Sequence, residues 1–221
     1  MKKVFAAVLT IGTVVVATAA AHMGGWAVVS VESPPEYIVA GKPVELTFVV
    51  RQHAVTPRSD LTPAIEARSA GQRVKGMTWT RRDGSYGARI TVPTTGEWQI
   101  MIQSGWGRSR GTLIPIEAID STSRAPAPLA QPERGRRLFA AKGCVTCHVH
   151  GDVAIEGELQ SFGPELTGRR FPPDYLARFL ADPSIKPPVN GRNQMPNPQL
   201  KQPEIAAIVA FINGERRVAN R

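Results

Sequence analysis

The sequence predicts two domains of different class, an all-β domain followed by an all-α domain. The 221 residues suit two small domains, since one domain commonly holds about 100–150 residues. Apolar residues alternate with a period of two as far as Ile119, which is typical of strands, and take a helical period after residue 134. A stretch rich in Pro and Ala over residues 121–133 separates the two patterns and predicts a semi-stiff linker.

Residues 22–120 are expected to form an antiparallel sandwich of six to eight strands. Three runs place an apolar residue at every second position: Val44–Val50, Tyr86–Val92 and Trp98–Ile102. Asp83-Gly84 predicts a turn before the second run. Each run should therefore bury one face of a strand.

Residues 134–221 are expected to form the helical domain. Pro173 and Pro203 each mark the start of a helix, and Asp182-Pro183 and Asn213-Gly214 mark the ends. In the first helix, one face should carry Gly135, Leu138 and Phe139. The segment that Pro173 opens contains the apolar residues Tyr175, Leu176, Phe179 and Leu180. In the last helix, an apolar stripe at helical spacing consists of Ile205, Ile208, Val209 and Ile212.

The segment 1–21 is typical of an export signal, with Lys2 and Lys3 before an uncharged run over residues 4–21. The small residues Ala19-Ala20-Ala21 suit cleavage, whereas the length of the run suits an anchor in the inner membrane. Both outcomes stay open. Either one places the rest of the chain outside the cytoplasm, on the periplasmic side.

The net charge of +9 is spread along the chain without a concentrated block. Nucleic acid is therefore not expected as a partner. An acidic partner protein or an anionic membrane surface suits the charge, and so does an ordinary solvated basic surface.

The two cysteines predict a covalently attached haem. Cys144 and Cys147 are followed directly by His148, and Cys-x-x-Cys-His is the attachment pattern of haem c. The two thiols would add to the vinyl groups of one haem, and His148 would be the proximal iron ligand. A disulfide and half of a zinc site are the alternatives, although no second cysteine pair follows to complete a zinc site.

Met195 is the predicted second axial ligand. It is the only methionine after the haem motif, and it lies in a loop rich in Pro, Gly and Asn between two helices. A packing role is the alternative. His150 lies too close to His148 to reach the opposite haem face and is expected at the surface. With both axial positions filled the iron has no site for a substrate, which favours an electron carrier over an enzyme.

The parts of the helical domain have a familiar order. They are the helix with Gly135 and Phe139, the segment Gly143-Cys144-Val145-Thr146-Cys147-His148, the segment Phe162-Gly163-Pro164-Glu165-Leu166, the Met195-Pro196 loop, and the last helix with Phe211. Together they resemble the class I cytochrome c family over about residues 131–214. The resemblance implies the all-α fold of that family, in which the first and last helices cross. It also implies that the Pro164 carbonyl accepts the second ring hydrogen of His148 and that the haem is buried except at one edge.

Six cations in this domain are candidates to surround the exposed haem edge and attract an acidic redox partner. They are Lys142, Arg169, Arg170, Lys186, Arg192 and Lys201. A scattered, solvated set is the equal alternative.

The first domain carries a second resemblance. Gly84-Ser85-Tyr86, followed by Val92-Pro93-Thr94-Thr95-Gly96-Glu97-Trp98, resembles the end of YtkA-like domains, which are exported immunoglobulin-like sandwiches. The resemblance implies a binding or docking module. Trp79 and Trp98 are expected in its core.

Two functions follow from these patterns. The leading one is a membrane-tethered or complex-bound electron carrier of a respiratory or photosynthetic chain, whose haem domain reaches redox partner proteins through the linker. The second is a copper-binding periplasmic module with a redox-active tail. In that case cleavage after Ala21 would make His22 the N-terminus, and His22 and His53 would bind copper through nitrogen ligands.

Overall fold

The computed structural model describes residues 25–153, 155, 162–191 and 194–214. The predicted export segment, His22 and Arg192 lie outside these residues. Within the described part of the chain, no helix is long and apolar enough to cross a membrane.

The first domain consists of two β-sheets. The first sheet has the order β1-β3-β8-β7, with β4 paired to β3, and the second has the order β2-β11-β9-β5-β6, with β10 paired to β9. The strands are β1 (Ala27–Val31), β2 (Ile38–Val39), β3 (Pro43–Gln52), β4 (Thr56–Arg58), β5 (Ala64–Ser69), β6 (Gln72–Lys75), β7 (Met77–Thr80), β8 (Tyr86–Thr91), β9 (Gly96–Gln103), β10 (Arg110–Thr112) and β11 (Ile116–Ile119). The pairs are antiparallel except β2 with β11.

The described residues form more strands than the six to eight expected. Three of the eleven strands, β2, β4 and β10, contain two or three residues. So few residues cannot show an alternating pattern, because alternation needs about four residues to be recognised. The all-β character of the domain is as predicted.

The core of the sandwich lies between the two sheets and contains the predicted alternating faces. Phe48, Tyr86 and Trp98 are each 0% exposed. Trp98 also donates from its indole nitrogen to the carbonyl of Thr94, at 2.9 Å. The buried polar end of this ring is therefore satisfied, as burial of an indole requires.

Trp79 corrects one sequence prediction, because it is not a core residue. Its side chain is 37% exposed. It lies on β7, the last strand of its sheet, and its ring covers Gly87, where a Cβ atom would overlap it. An aromatic residue in an alternating segment suggests burial, but the sequence does not show that the strand lies at an edge.

The second domain has three α-helices: α1 (Gln131–Ala141), α2 (Pro173–Ala181) and α3 (Gln202–Ile212). The helix α1 begins inside the segment 121–133 that was expected to be linker. Each helix has a proline in its first turn, where a missing N–H costs no hydrogen bond. At the start of α3, Glu204 accepts a hydrogen bond from the Lys201 N–H at 2.8 Å.

The helices α1 and α3 pack closely against each other, as the family resemblance implied. A Cβ atom on Gly135 would overlap the Ala207 carbonyl, so the absence of a side chain allows this approach. Phe139 and Phe211 extend the contact, with ring centroids 5.6 Å apart. These two helices form the frame on which the loops of the domain are held.

The two domains are docked on each other. Glu36 of the sandwich pairs with Arg134 of α1 at 2.7 Å and accepts a hydrogen bond from the Leu129 N–H at 3.0 Å. Ala141 of α1 belongs to the core of the sandwich, and Ile114 belongs to the core of the helical domain. The segment before α1 therefore contacts the sandwich directly, through the Leu129 N–H.

Candidate functional site

The turn that carries the two cysteines follows α1 directly. Gly143 has a φ of 78°, which ends the helix, and residues Cys144–Thr146 then form a 3-10 turn. The N–H groups of Cys147 and His148 both donate to the Cys144 carbonyl, at 3.1 and 2.9 Å. Because residues three apart lie above one another in a 3-10 turn, the two cysteines are on the same side.

Cys144 and Cys147 are not joined to each other by a disulfide, and both have intermediate exposure. Burial, with a smaller effect from Cys147, raises the pKa of the Cys144 thiol to about 12. Burial also raises the pKa of Cys147. Both shifts reflect the apolar surroundings of the cysteine turn. Within the described residues, no group of three or more His, Cys, Asp or Glu side chains could hold a metal ion.

His148 is held by the segment that begins at Phe162. Its Nδ1 lies 3.0 Å from the Pro164 carbonyl oxygen. A carbonyl can only accept, so Nδ1 is the donor in this contact, and Nε2 is the ring nitrogen left for another partner. Gly163 lies flat against the ring, where a Cβ atom would overlap Nδ1. The free nitrogen of His148 is thereby oriented for a metal.

Met195 lies in the loop between α2 and α3. It is partly buried and packs against the same apolar cluster as Cys144, together with Phe171 and Leu200. Asn197 holds the loop, because its side chain donates to the Ala181 carbonyl at 3.4 Å and accepts from the Gln199 N–H at 2.8 Å. The structure thus brings Met195 and the cysteine turn to one apolar region.

His150 corrects a second prediction, because it is buried rather than at the surface. It is 4% exposed, and its ring lies 4.3 Å from that of Phe211 and 6.0 Å from that of Phe139. Burial lowers the pKa of this imidazole, and the Asp152 carboxylate opposes the shift. His150 therefore fills the space beside the α1–α3 contact. The surface position was expected because His150 is too close to His148 to reach the opposite haem face, but the sequence does not show that its ring packs on Phe139 and Phe211.

Lys142 corrects a third prediction. It was expected among the cations around the haem edge, but its side chain is only 7% exposed and pairs with Glu204 at 2.7 Å. The other described members of that set, Arg169, Arg170, Lys186 and Lys201, are exposed. His53, the described half of the expected copper pair, is also exposed, and its ring lies 5.6 Å from that of Trp26.

Residues 130–212 match the family model described as cytochrome c oxidase, cbb3-type, subunit III. This region is a class I c-type cytochrome domain. Its cofactor is one covalently bound haem c, and the domain transfers electrons through that haem. The match covers less than half of the chain, and comparison of the chain with curated proteins found no match.

The residues of the cytochrome domain fit this cofactor. The two cysteine side chains lie on one side of a single turn, which suits thioether bonds to the two vinyl groups of one haem. The imidazole of His148 is oriented by a carbonyl. Apolar side chains surround the region, including Val145, Leu166 and Leu176. Such a shell limits the access of water and keeps the local dielectric low.

Proposed function

We propose that the chain carries single electrons through a haem bonded to Cys144 and Cys147, with His148 and Met195 as axial iron ligands. The observation that carries the proposal is the contact of 3.0 Å between His148 Nδ1 and the Pro164 carbonyl. This contact supports a ligand role for Nε2, because it engages Nδ1 and fixes the orientation of the ring.

Each residue has a separate task. Cys144 and Cys147 fix the cofactor to the turn after α1, and Pro164 holds the ring of His148 and increases its basicity. Met195 supplies a soft thioether, which favours the reduced state of the iron relative to a second imidazole. When bound, haem c supplies an iron that alternates between its ferrous and ferric states.

The same ligand set argues against catalysis. Two protein ligands occupy both axial positions, so a substrate such as peroxide would have to displace one of them. Met195 sits in a loop held at Asn197 and packs into the apolar cluster, and both contacts disfavour displacement. We therefore assign the chain the role of a carrier, which can serve as a subunit of an oxidoreductase complex.

The setting that suits this role is the periplasmic side of the inner membrane. The charged and apolar pattern of residues 1–21 supports export, with tethering as one outcome. The matching family is described as an oxidase subunit, which supports membership of a membrane electron-transfer complex. The redox partners are then other proteins of that complex or of the same chain of carriers.

The ligand assignment is tested by Met195→Ala, with Met77→Ala as a matched control. Met77 is 59% exposed on β7 of the sandwich. Met195→Ala should lower the midpoint potential, change the ferric spectrum and let carbon monoxide bind the ferrous protein, whereas Met77→Ala should resemble the wild type. An unchanged ferric spectrum in Met195→Ala would exclude Met195 as a ligand.

Complex membership is tested by native electrophoresis of gently solubilised membranes, with covalent haem detected in the gel. Migration of this chain with a large assembly would support a fixed subunit. Migration alone would support a tethered or free carrier and would exclude stable membership.

A further inference from the structure

One end of the first sheet reaches the loops of the cytochrome domain. Ala27 of β1 pairs with Gln52 of β3, so Trp26 and His53 follow at the same end, where the His53 N–H donates to the Trp26 carbonyl at 3.0 Å. Arg51, one residue before that end, lies beside them. Trp26, directly before β1, and Arg51, near the end of β3, therefore lie at the same end of the sheet.

Trp26 touches the segment that holds His148. Its ring lies 5.2 Å from that of Phe162, at an interplanar angle of 37°. Phe162 precedes Gly163, the residue that lies flat against the imidazole. Nearby, Val28 of β1 packs on Gly143, the residue directly before Cys144. The sandwich is therefore seated against both segments that carry the cysteines and the proximal histidine.

Arg51 touches the loop that carries Met195. Its Nη2 donates to the Gln199 side-chain oxygen at 2.5 Å. Burial lowers the pKa of the Arg51 guanidinium, and its Nε is buried without a partner in the described part of the chain. A guanidinium that is partly removed from water gains more from a remaining hydrogen bond than a solvated one does.

Gln199 has a backbone conformation that needs support. Its φ is 54°, in the left-handed region that a residue with a Cβ atom adopts rarely. Two contacts hold it, the Asn197 side chain at the Gln199 N–H and Arg51 at the Gln199 side chain. The second contact comes from the other domain, so the conformation of the loop depends on the docked sandwich.

We propose that Arg51 is a positioning residue for the haem iron: by holding Gln199, it keeps the Met195 loop closed and the Met195 sulfur on the metal. This inference rests on the proposed His148 and Met195 ligation. It gives the sandwich a role in the electron carrier, since the domain supplies one of the contacts that hold the distal ligand in place. A contact between two exposed, mobile side chains would stabilise the loop only slightly. Here the docked sandwich already holds Arg51 next to the loop, so less side-chain entropy is lost when it binds Gln199.

The consequence is measurable because an added ligand must displace Met195 to reach the ferric iron. Opening of the loop is part of the free energy of that exchange. Removing the Arg51–Gln199 contact lowers the cost of opening, so the affinity for an added ligand rises by the same factor. For one hydrogen bond to a charged group at a partly exposed site, that factor is about three- to tenfold.

The experiment is an imidazole titration of the full-length ferric holoprotein, followed by the charge-transfer band of the iron–sulfur bond. The variants are Arg51→Ala, Arg51→Lys, Gln199→Ala and the double variant Arg51→Ala with Gln199→Ala. The control is Arg89→Ala, because Arg89 forms an exposed pair with Glu45, far along β3 from Arg51. Gln199→Ala changes only a loop side chain and retains a Cβ atom, so it tests the contact even if Arg51→Ala folds poorly.

Arg51→Ala and Gln199→Ala are each expected to bind imidazole about three- to tenfold more tightly than the wild type. The double variant should match either single variant, Arg51→Lys should lie between, and Arg89→Ala should match the wild type. Affinities of both single variants equal to that of Arg89→Ala would overturn the role of Arg51. A wild-type protein without the iron–sulfur band would instead overturn the ligand assignment, which separates the two failures.

Discussion

Lys142 and Glu204 form an ion pair of 2.7 Å at the place where the two domains and two helices meet. Lys142 follows the last turn of α1, and Glu204 lies in the first turn of α3. The Lys142 ammonium also donates to the Glu32 carbonyl of the sandwich, at 2.7 Å. The two side chains are only 7% and 13% exposed, so each depends on the other for its charge to be compensated.

Lys142→Met should destabilise the protein by about 3 kcal/mol, because it leaves the Glu204 carboxylate largely buried without its cation. Chemical denaturation of the holoprotein measures the loss. Lys201→Met is the matched control, since Lys201 is exposed and should change the free energy of unfolding by less than about 0.5 kcal/mol. The double variant Lys142→Met with Glu204→Gln should recover part of the loss. Equal stabilities of the two single variants would contradict the role given to the pair.

Gly135→Ala should destabilise the protein, although alanine is the better helix former by about 1 kcal/mol. The added methyl group would overlap the Ala207 carbonyl and force α1 and α3 apart. We expect a loss of more than about 2 kcal/mol in thermal or denaturant unfolding. Ala206→Gly, at an exposed position of α3, should reduce the free energy of unfolding only by the difference in helix propensity, about 1 kcal/mol. A stabilised Gly135→Ala protein would show that the helices have room to adjust.

The sequence predicted the parts of the fold that depend on local periodicity. The buried alternation around Phe48, Tyr86 and Trp98 and the stripe of α3 were correct, because one sheet face or one helix face is enough to specify them. The prediction that Trp79 lies in the core was wrong, because its exposure depends on which strand lies at the edge of the sheet. Strand order is a property of the whole chain and is not visible in a local pattern. Docking of the domains was missed for the same reason.

His150→Ala should lower stability and leave the spectrum of the haem unchanged. Loss of the ring that packs between Phe139 and Phe211 leaves a cavity that costs about 2 kcal/mol or more. Because the proposed ligands are His148 and Met195, the ferric and ferrous spectra should match those of the wild type. His53→Ala, at an exposed strand end, should alter neither property. A changed spectrum in His150→Ala would indicate that this imidazole reaches the iron.

Glu66 should make the sandwich sensitive to acid. Burial alone would raise the pKa of this carboxyl, but the hydrogen bond from Arg73 and the charges of Arg68 and Arg73 outweigh burial and lower the pKa. A lowered pKa in the folded state contributes stability above the unfolded value of about 4.3, and this stability is lost as the pH falls through the folded value. Glu66→Gln should therefore be less stable than the wild type by about 1 kcal/mol at pH 7.

The difference between Glu66→Gln and the wild type should narrow as the pH falls below about 4.3, because the carboxyl of the unfolded protein then takes up a proton while that of the folded protein is still charged. The narrowing is complete once the pH lies below the lowered pKa of the folded protein. Denaturation curves of both proteins over a pH series would measure this difference in the free energy of unfolding. A difference that stays constant down to acid pH would show that the two arginines do not stabilise the charged form of Glu66.

Features of the site that depend on short local segments could be predicted from the sequence, whereas the burial of two neighbouring residues could not. The cysteine motif and the Pro164 contact could be predicted because they lie in short segments with a fixed spacing or a recognised order. Lys142 was expected among exposed cations, but its side chain is buried against Glu204, which is distant in sequence. His150 was placed at the surface because it is too close to His148 to reach the opposite haem face, but its ring packs beside Phe139 and Phe211 and its Nδ1 accepts a hydrogen bond from the Asp152 N–H at 3.3 Å.

The contact of Glu36 with Leu129 and Arg134 has a consequence for how electrons reach the haem. A haem domain on a free linker would move within a volume set by the length of that linker. It would then meet many redox partners without the sandwich. Here the stretch before α1 is pinned at its far end, so that its length provides no such reach. A redox partner that approaches the haem therefore meets the described parts of both domains together.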